Sequence, residues 1–434
     1  MRIILKTILP ILCLSVVWGL FLFFGSLEGW WHKPLTHSDH ADDFFTEAKN
    51  ETQKGYVGSL VMALIEDGAI QDEYLYSVDG AINRHTAFQV ASLSKWVTAW
   101  GVMALVDEGK LALDEPVNHY LTRWQLPQGS FDNDGVTVRR LLSHTAGLTD
   151  GLGYAGFAPG TPVQSLEASL TQAADASPGA SGAVKVGVKP GSEWIYSGGG
   201  YTLLQLLIEE VSGLSFQDYM QATLFKPLGM VNSTFYWDEA QNTNLAKFYD
   251  ANGKAQAHLR YTSLAATSLY TSLHDMELFV QAHFKGHRGE PKGRGIIKPQ
   301  TLDQMREPHA YQMGAAIWGL GTMLYAENNG EDFIIGHDGS NEPAINTAVR
   351  LDPATGDGII ILEMGNPFLA TEMGSEWVFW KTGNVDSLMF ISLTGPIVRW
   401  FIIGSLIMAL LVIVFRISRR KRTDQKAKAT EAQA

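Results

Sequence analysis

The tetrapeptide Ser92-Leu93-Ser94-Lys95 sets a hydroxyl and an amine three residues apart at the head of an apolar run. A Ser hydroxyl is a poor nucleophile until a base takes its proton. On a helix, positions i and i+3 share a face, so Lys95 would stand beside Ser92. Burial and any nearby cation would depress the ammonium pKa and let Lys95 act as that base near neutral pH. Backbone N–H groups at the helix start would favour the negative charge that develops on an acyl oxygen. A plain helix cap followed by a surface Lys gives the same letters. That bland reading is strained here, because Trp96, Val97, Trp100, Val102, Met103, Leu105 and Val106 leave the helix almost no polar face.

The elements that must position this pair follow from periodicity. The helix is expected to start at or near Ser92 and to end by Gly109, a C-cap residue. Ahead of it, residues 56–68 and 73–80 read as neighbouring antiparallel strands around Asp67-Gly68, and Thr86–Val90 as a third. Val136–Leu142, Tyr201–Val211 and Phe216–Leu224 read as helices, and Pro159–Pro190 as a loop rich in Ala, Gly, Ser and Pro. Strands return at Phe333–Gly336, Ile345–Leu351 and Gly358–Glu363. Strands at both ends with helices between predict an α+β domain whose terminal strands share one antiparallel sheet, flanked by helices, beside a mostly helical lobe.

Composition narrows the partners. A net charge of −12 argues against nucleic acid, whose phosphates need a Lys/Arg surface. The single Cys, Cys13, excludes a disulfide framework, a zinc–cysteine cluster and a Cys–His protease in the folded part. His37, Asp39, His40, Asp42 and Asp43 invite a metal, but nothing in their pattern fixes them, so no metal and no cofactor is expected.

Two apolar segments bracket the chain, from Ile8 to Gly25 and from Ile397 to Phe415. Each is long enough to span a bilayer. Arg2 and Lys6 precede the first, and Arg416, Arg419, Arg420, Lys421 and Arg422 follow the second. The positive-inside rule then holds both termini in the cytoplasm and everything between outside. Trp30, Trp31 and Trp400 stand where an aromatic belt would lie, and Arg399 can snorkel. The expected organisation is a signal anchor (1–25), a linker (26–50), a hydrolase domain (51–385), a second span (386–416) and a basic tail (417–434). The domain would face the periplasm or the exterior from the inner or plasma membrane, with the lipid bilayer as a partner.

In order along the chain, the motifs resemble the serine β-lactamase/penicillin-binding-protein superfamily, in the class C-like branch with D-alanyl-D-alanine carboxypeptidases and esterases. Phe88-Gln-Val-Ala-Ser92-Leu-Ser-Lys95 is similar to its nucleophile motif. Leu113-Asp-Glu-Pro116-Val117, Leu141-Leu-Ser-His144-Thr-Ala-Gly147-Leu148 and Phe225-Lys-Pro227-Leu-Gly229-Met230 are similar to its structural signatures. Tyr196-Ser197-Gly198 stands where the family has Tyr-x-Asn, and His337-Asp338-Gly339 where it has Lys-Thr-Gly or His-x-Gly.

The resemblance implies a two-lobed fold with the site between the lobes. Ser92 would be acylated, and Lys95 and Tyr196 would share the base role, with the order of proton transfers left open. Tyr196, near two cationic groups, would approach phenolate, and His337 would tune it and help to bind substrate. The N–H groups of Ser92 and Ser340 would form the oxyanion hole, with Gly339 and Gly198 lining the substrate site. His144 and Trp318 are expected to be structural.

Two departures matter. Gly198 removes an amide that would contact Lys95 and a substrate amide, and His337 carries charge only when protonated. Both lead away from an efficient β-lactamase and toward a D,D-peptidase-like or esterase-like enzyme. Its substrate would be a small molecule, peptide or ester, with the cell wall one source. A weak β-lactamase and a non-turnover penicillin-binding sensor are the alternatives.

Overall fold

The apolar runs Leu60–Ile65 and Ile359–Leu362 lie side by side in one sheet and are buried along their length. In the computed structural model, residues 2–54, 56–151, 153–237, 244–330 and 332–432 are described, the side chains of 2–6, 424 and 431 excepted. The side chains of Arg2 and Lys6 therefore lie outside the described set. Eight strands form the sheet in the order β2 (Ala69–Ser77), β1 (Ser59–Glu66), β12 (Gly358–Met364), β11 (Ile345–Leu351), β10 (Phe333–Asn341), β9 (Met323–Glu327), β8 (Ala315–Trp318) and β7 (Ala310–Gln312). Every adjacent pair is antiparallel. Val61 of β1 lies opposite Leu362 of β12, so strands from the two ends of the domain share the sheet as expected. The edge strand β2 carries Gln71, Asp72 and Glu73, polar groups that discourage further pairing. Two short ribbons pair β3 (Ala87–Gln89) with β6 (Tyr270–Ser272) and β4 (Phe248–Tyr249) with β5 (Ala255–Gln256).

The helices run α1 Arg2–Leu27, α2 Ala41–Thr52, α3 Ser94–Asp107, α4 Val138–Leu142, α5 Leu166–Thr171, α6 Gly198–Ser212, α7 Phe216–Met220, α8 Lys226–Leu228, α9 Leu264–Thr267, α10 Leu273–Gln281, α11 Pro299–Met305, α12 Leu369–Thr382 and α13 Ser387–Glu431. Helix α3 is buried over Ser94–Leu105, with Trp96 and Trp100 packed around Phe279 and His283. Gly109 takes φ +71° just beyond its end, the left-handed turn that a C-terminal glycine supplies. Helix α6 starts three residues earlier than its periodicity suggests, because the Ser197 hydroxyl caps it by accepting from the Gly200 amide.

The chain separates into two compact units, residues 35–382 and residues 1–34 with 383–434. Residues 41–50, expected as linker, belong to α2 within the first unit. Phe44, Phe45 and Ala48 are buried, and the Phe44 ring stacks on Trp380 at 5.0 Å. Asp42 and Asp43 sit in its first turn, where a helix start favours negative charge. In the second unit α1 and α13 pack together, with the Trp18 indole N–H donating to the Trp400 carbonyl at 3.0 Å. Both are long and apolar enough to cross a membrane, with mean hydropathy 2.4 and 2.6 in their most apolar stretches.

On β10, alternation sends His337 and Asp338 to opposite faces. Asp338 turns toward α12, accepting from both Arg350 terminal nitrogens, from the Tyr325 hydroxyl at 2.9 Å and from Thr371 Oγ1 at 2.9 Å. The Arg350 guanidinium is fully buried and lies 3.6 Å from the Tyr325 ring centroid. Arg350→Met leaves Asp338 buried without its cation, and we expect a loss of about 3–5 kcal/mol in denaturant unfolding. The double variant Arg350→Met/Asp338→Leu should recover most of it. Equal losses in the single and double variants would show that the pair acts only through packing.

Candidate active site

The cleft forms where β10 meets the turn that launches α3. Ala91–Leu93 make one 3-10 turn, with Ala91 at φ +46°, a left-handed conformation rare for a residue with a Cβ. The Val90 carbonyl receives the Leu93 amide at 3.2 Å and the Thr347 hydroxyl at 3.0 Å. Gly339 of β10 passes so close that a Cβ there would lie 2.0 Å from the Val90 oxygen. Only glycine fits at 339. Strand β9 pairs with β10 no further than Gly336, which leaves the edge of β10 from His337 to Asn341 free of that neighbour.

Lys95 is 2% exposed, and its Nζ donates to Ser92 Oγ at 3.0 Å and to the Ala266 carbonyl at 2.8 Å. Burial pulls its pKa from 10.5 to about 7, against the opposing pull of the Asp150 carboxylate. Helix α9 presents its backbone oxygens to α3, since Thr98 Oγ1 also donates to the Ala265 carbonyl at 3.0 Å. Ser94, the other hydroxyl of the motif, is fully buried. It donates to the Ala91 carbonyl at 2.6 Å and accepts from the Leu269 amide at 2.9 Å.

Tyr196 stands over Lys95, with Nζ 4.9 Å from its ring centroid. Burial pushes the phenol pKa up, and a hydrogen bond with Ser92 offsets this only in part. The expected drift toward phenolate is therefore reversed. The cations assumed to cause it are weak, since Lys95 is drawn to about 7 and His337 is pushed down to about 3 by burial and by Lys95. His337 is 1% exposed, and its Nδ1 donates to the Asp338 carbonyl at 2.6 Å. It is a neutral imidazole here, and the charge expected on it when protonated is absent across the physiological range.

Three residues that the motifs did not single out for the site hold it. His144, expected to be structural, stacks on the Tyr196 ring at 4.3 Å and accepts the Ser197 amide on Nδ1 at 3.1 Å. It fixes the phenol from behind, with Trp318 edge-on to both rings. Asp150, 6% exposed, accepts from the Ser197 hydroxyl and from the Gly199 amide at 2.7 Å. Tyr154 lies along the first turn of α6, and a Cβ on Gly198 would come 3.0 Å from its ring. A Cβ on Gly199 would meet the Asp150 carboxyl at 2.8 Å. Gly198 and Gly199 thus let Tyr154 and Asp150 close on the helix start.

Ser92, Lys95, Gly198 and Ser340, all expected at the site, line one pocket of about 160 Å³ together with Tyr154 and Asn341. Tyr196 and His337 flank Lys95 outside that lining, and Gly339 lies beneath the Ala91–Leu93 turn.

The sheet, the helical lobe and the cleft between them are those of the β-lactamase/transpeptidase-like fold. The sequence matches the Beta-lactamase family over residues 46–373, and the chain belongs to that family, whose members are generally serine hydrolases. It is 34% identical over 155 residues to Penicillin-binding protein 4* of Bacillus subtilis (strain 168), covering 36% of this chain and 32% of that protein. Protein flp of Staphylococcus aureus (strain NCTC 8325 / PS 47) is 20% identical over 337 residues, 75% of this chain and 63% of its own. The chain thus spans less than two thirds of the length of either relative. Among solved structures, an octameric penicillin-binding protein homologue from Pyrococcus abyssi superposes with a TM-score of 0.61 at 24% identity, over 78% of this chain and 76% of that one. A class C β-lactamase mutant superposes equally, TM-score 0.61 at 20% identity, over 79% and 99%. These two likenesses are of fold.

Proposed function

We propose that the protein is a membrane-anchored serine hydrolase that forms an acyl-enzyme on Ser92 and hydrolyses an amide or ester outside the cytoplasm, in the manner of a D,D-peptidase or an esterase. The observation that carries this is the Lys95 amine, buried, drawn to about 7 and 3.0 Å from Ser92 Oγ. Such an amine is substantially unprotonated at neutral pH and can take the hydroxyl proton.

In the first step the Ser92 Oγ–carbon bond forms as Lys95 Nζ takes the proton, and the N–H groups of Ser92 and Ser340 face the carbonyl oxygen. The carbon–leaving-group bond then breaks. The leaving nitrogen or oxygen receives a proton through the Tyr196 phenol, which burial keeps protonated and which is therefore a donor rather than a first base. Water attacks the ester in the reverse arrangement, giving the acid and free Ser92. His337, neutral, orients the phenol side of the site.

Two apolar helices and the basic run after Phe415 support anchoring with both termini inside. A periplasmic or extracellular cell-wall peptide or ester would then be in reach. The test is to incubate the full chain in detergent with a fluorophosphonate and a labelled penicillin, then map the adduct by mass spectrometry. Adduct on Ser92 is the expected result, and no adduct there with either probe removes the reading. A reporter enzyme fused after Ala434 should be active only in the cytoplasm, and activity outside would overturn the two-span arrangement.

A further inference from the structure

Resting on Ser92 as the acylated residue, we propose that this site selects uncharged acyl groups with no amide next to the scissile carbonyl, that is, simple carboxylic esters, and that Tyr154 sets this choice. Tyr196, the proton donor to the leaving group, is not among the residues that line the pocket beside Ser92, so we assign the pocket to the acyl half of the substrate. Its volume of about 160 Å³ suits a small organic group, since an apolar cavity of ~150 Å³ accommodates benzene.

Two of the polar side chains that line this pocket, Tyr154 and Asn341, are already engaged. Tyr154 is 6% exposed, and its hydroxyl is tied to Thr202 Oγ1 at 2.5 Å, one turn down α6 from Gly198. Its phenol tip is therefore held at Thr202, while the ring fills the space beside Gly198 where a longer side chain would reach the substrate. Asn341 is spent in the same way. Its Nδ2 donates to the Tyr154 carbonyl at 3.1 Å and to the Tyr261 hydroxyl at 2.9 Å, and its Oδ1 accepts the Glu342 amide at 2.9 Å. An acylamino group placed against these two side chains would leave water for an aromatic ring and an amide whose hydrogen bonds are already made.

Charge argues the same way. Among the described residues lining the pocket, Lys95 alone can carry a formal charge, and its Nζ is committed to Ser92 and Ala266. A substrate carboxylate would be desolvated without a cation to receive it. Burial keeps the neighbouring His337 neutral, so it supplies none.

The test uses p-nitrophenyl esters that share one leaving group and differ only in the acyl half: butyrate, N-acetylglycinate and the glutarate monoester. For the wild-type protein, kcat/KM for each of the last two should be at least about tenfold below butyrate, the cost of one unpaired buried polar group. A difference of less than tenfold for either ester overturns the proposal. In Tyr154→Ala the gap between N-acetylglycinate and butyrate should shrink by about tenfold, while Tyr154→Phe, which keeps the ring, should preserve it. An unchanged gap in a folded Tyr154→Ala protein removes Tyr154 as the determinant. If that variant does not fold, the wild-type panel still decides the substrate class. Failure of the serine-hydrolase reading looks different: no ester is turned over and no fluorophosphonate adduct forms on Ser92.

Discussion

Ser92→Ala is expected to lower kcat on the order of 10⁴-fold or more for every ester that the protein cleaves, with folding unchanged. The hydroxyl is half-buried at the cleft floor and makes its contact with Lys95 rather than with the core, so its removal costs little packing. Ser94, the other hydroxyl of the motif, cannot take over. It is two residues away, but both its donor and its acceptor capacity are used inside the fold, on Ala91 and Leu269. Stopped-flow release of p-nitrophenol measures the result directly: the wild-type protein should show an acylation burst, and the variant neither burst nor steady rate. Residual turnover within tenfold of wild type would mean that Ser92 is not the nucleophile.

The second large effect belongs to Lys95. If its amine is the base, activity should follow the free-amine fraction. It should then be flat above about pH 7 and fall tenfold per pH unit below it, as the ammonium forms. Lys95→Arg should cost on the order of 10²–10⁴-fold at all accessible pH values, because a guanidinium does not deprotonate in this range. Stability should respond in a different pH window. Between the folded value of about 7 and the unfolded 10.5, the unfolded chain binds the extra proton, so the contribution of this group to stability rises with pH through that window. Below about pH 7 the ammonium is penalised by its burial in the folded state. Lys95→Met should therefore be inactive yet at least as stable as wild type at pH 6, as read by denaturant unfolding. An active Lys95→Met, or a flat pH–rate profile from 5 to 9, would transfer the base role elsewhere.

How much of this could be read from the chain alone depended on how local each feature is. The Ser92–Lys95 pair is one helical turn, and an apolar helix with two polar residues at its head announces itself without any partner. The sheet centre was legible for the same reason, since β1 and β12 hold the apolar runs Leu60–Ile65 and Ile359–Leu362. Strands β7 to β9 are three to five residues long, too short to show a period. Strand β10 extends beyond the expected Gly336 through the whole His337-Asp338-Gly339 motif, because its polar members are buried by Arg350, Thr371 and the nucleophile turn rather than exposed.

Features that depend on distant contacts were invisible. Asp150 sits in Thr149-Asp150-Gly151 with no pattern to mark it, and it reaches Ser197 across 47 positions. Phe44-Phe45 with Ala48 was a helical signal hidden in an acidic stretch that looked like linker. The protonated state of Tyr196 has a simpler cause: desolvation, which neighbouring cations in the sequence do not reveal, is the larger effect on Tyr196, Lys95 and His337 alike.

The close passage of Gly339 over the Val90 carbonyl has a consequence for the order of synthesis. Ser92 and Lys95 leave the ribosome early, but the strand that braces their turn is made almost 250 residues later, and the sheet holding that strand closes only when β12 joins β1. Until then Lys95 is solvated, with an ordinary ammonium pKa and no power to activate a hydroxyl. The nascent chain therefore carries its proposed nucleophile unarmed through translation. Reactivity switches on as a property of the finished fold, so labelling by an acylating probe counts only molecules whose two ends have met.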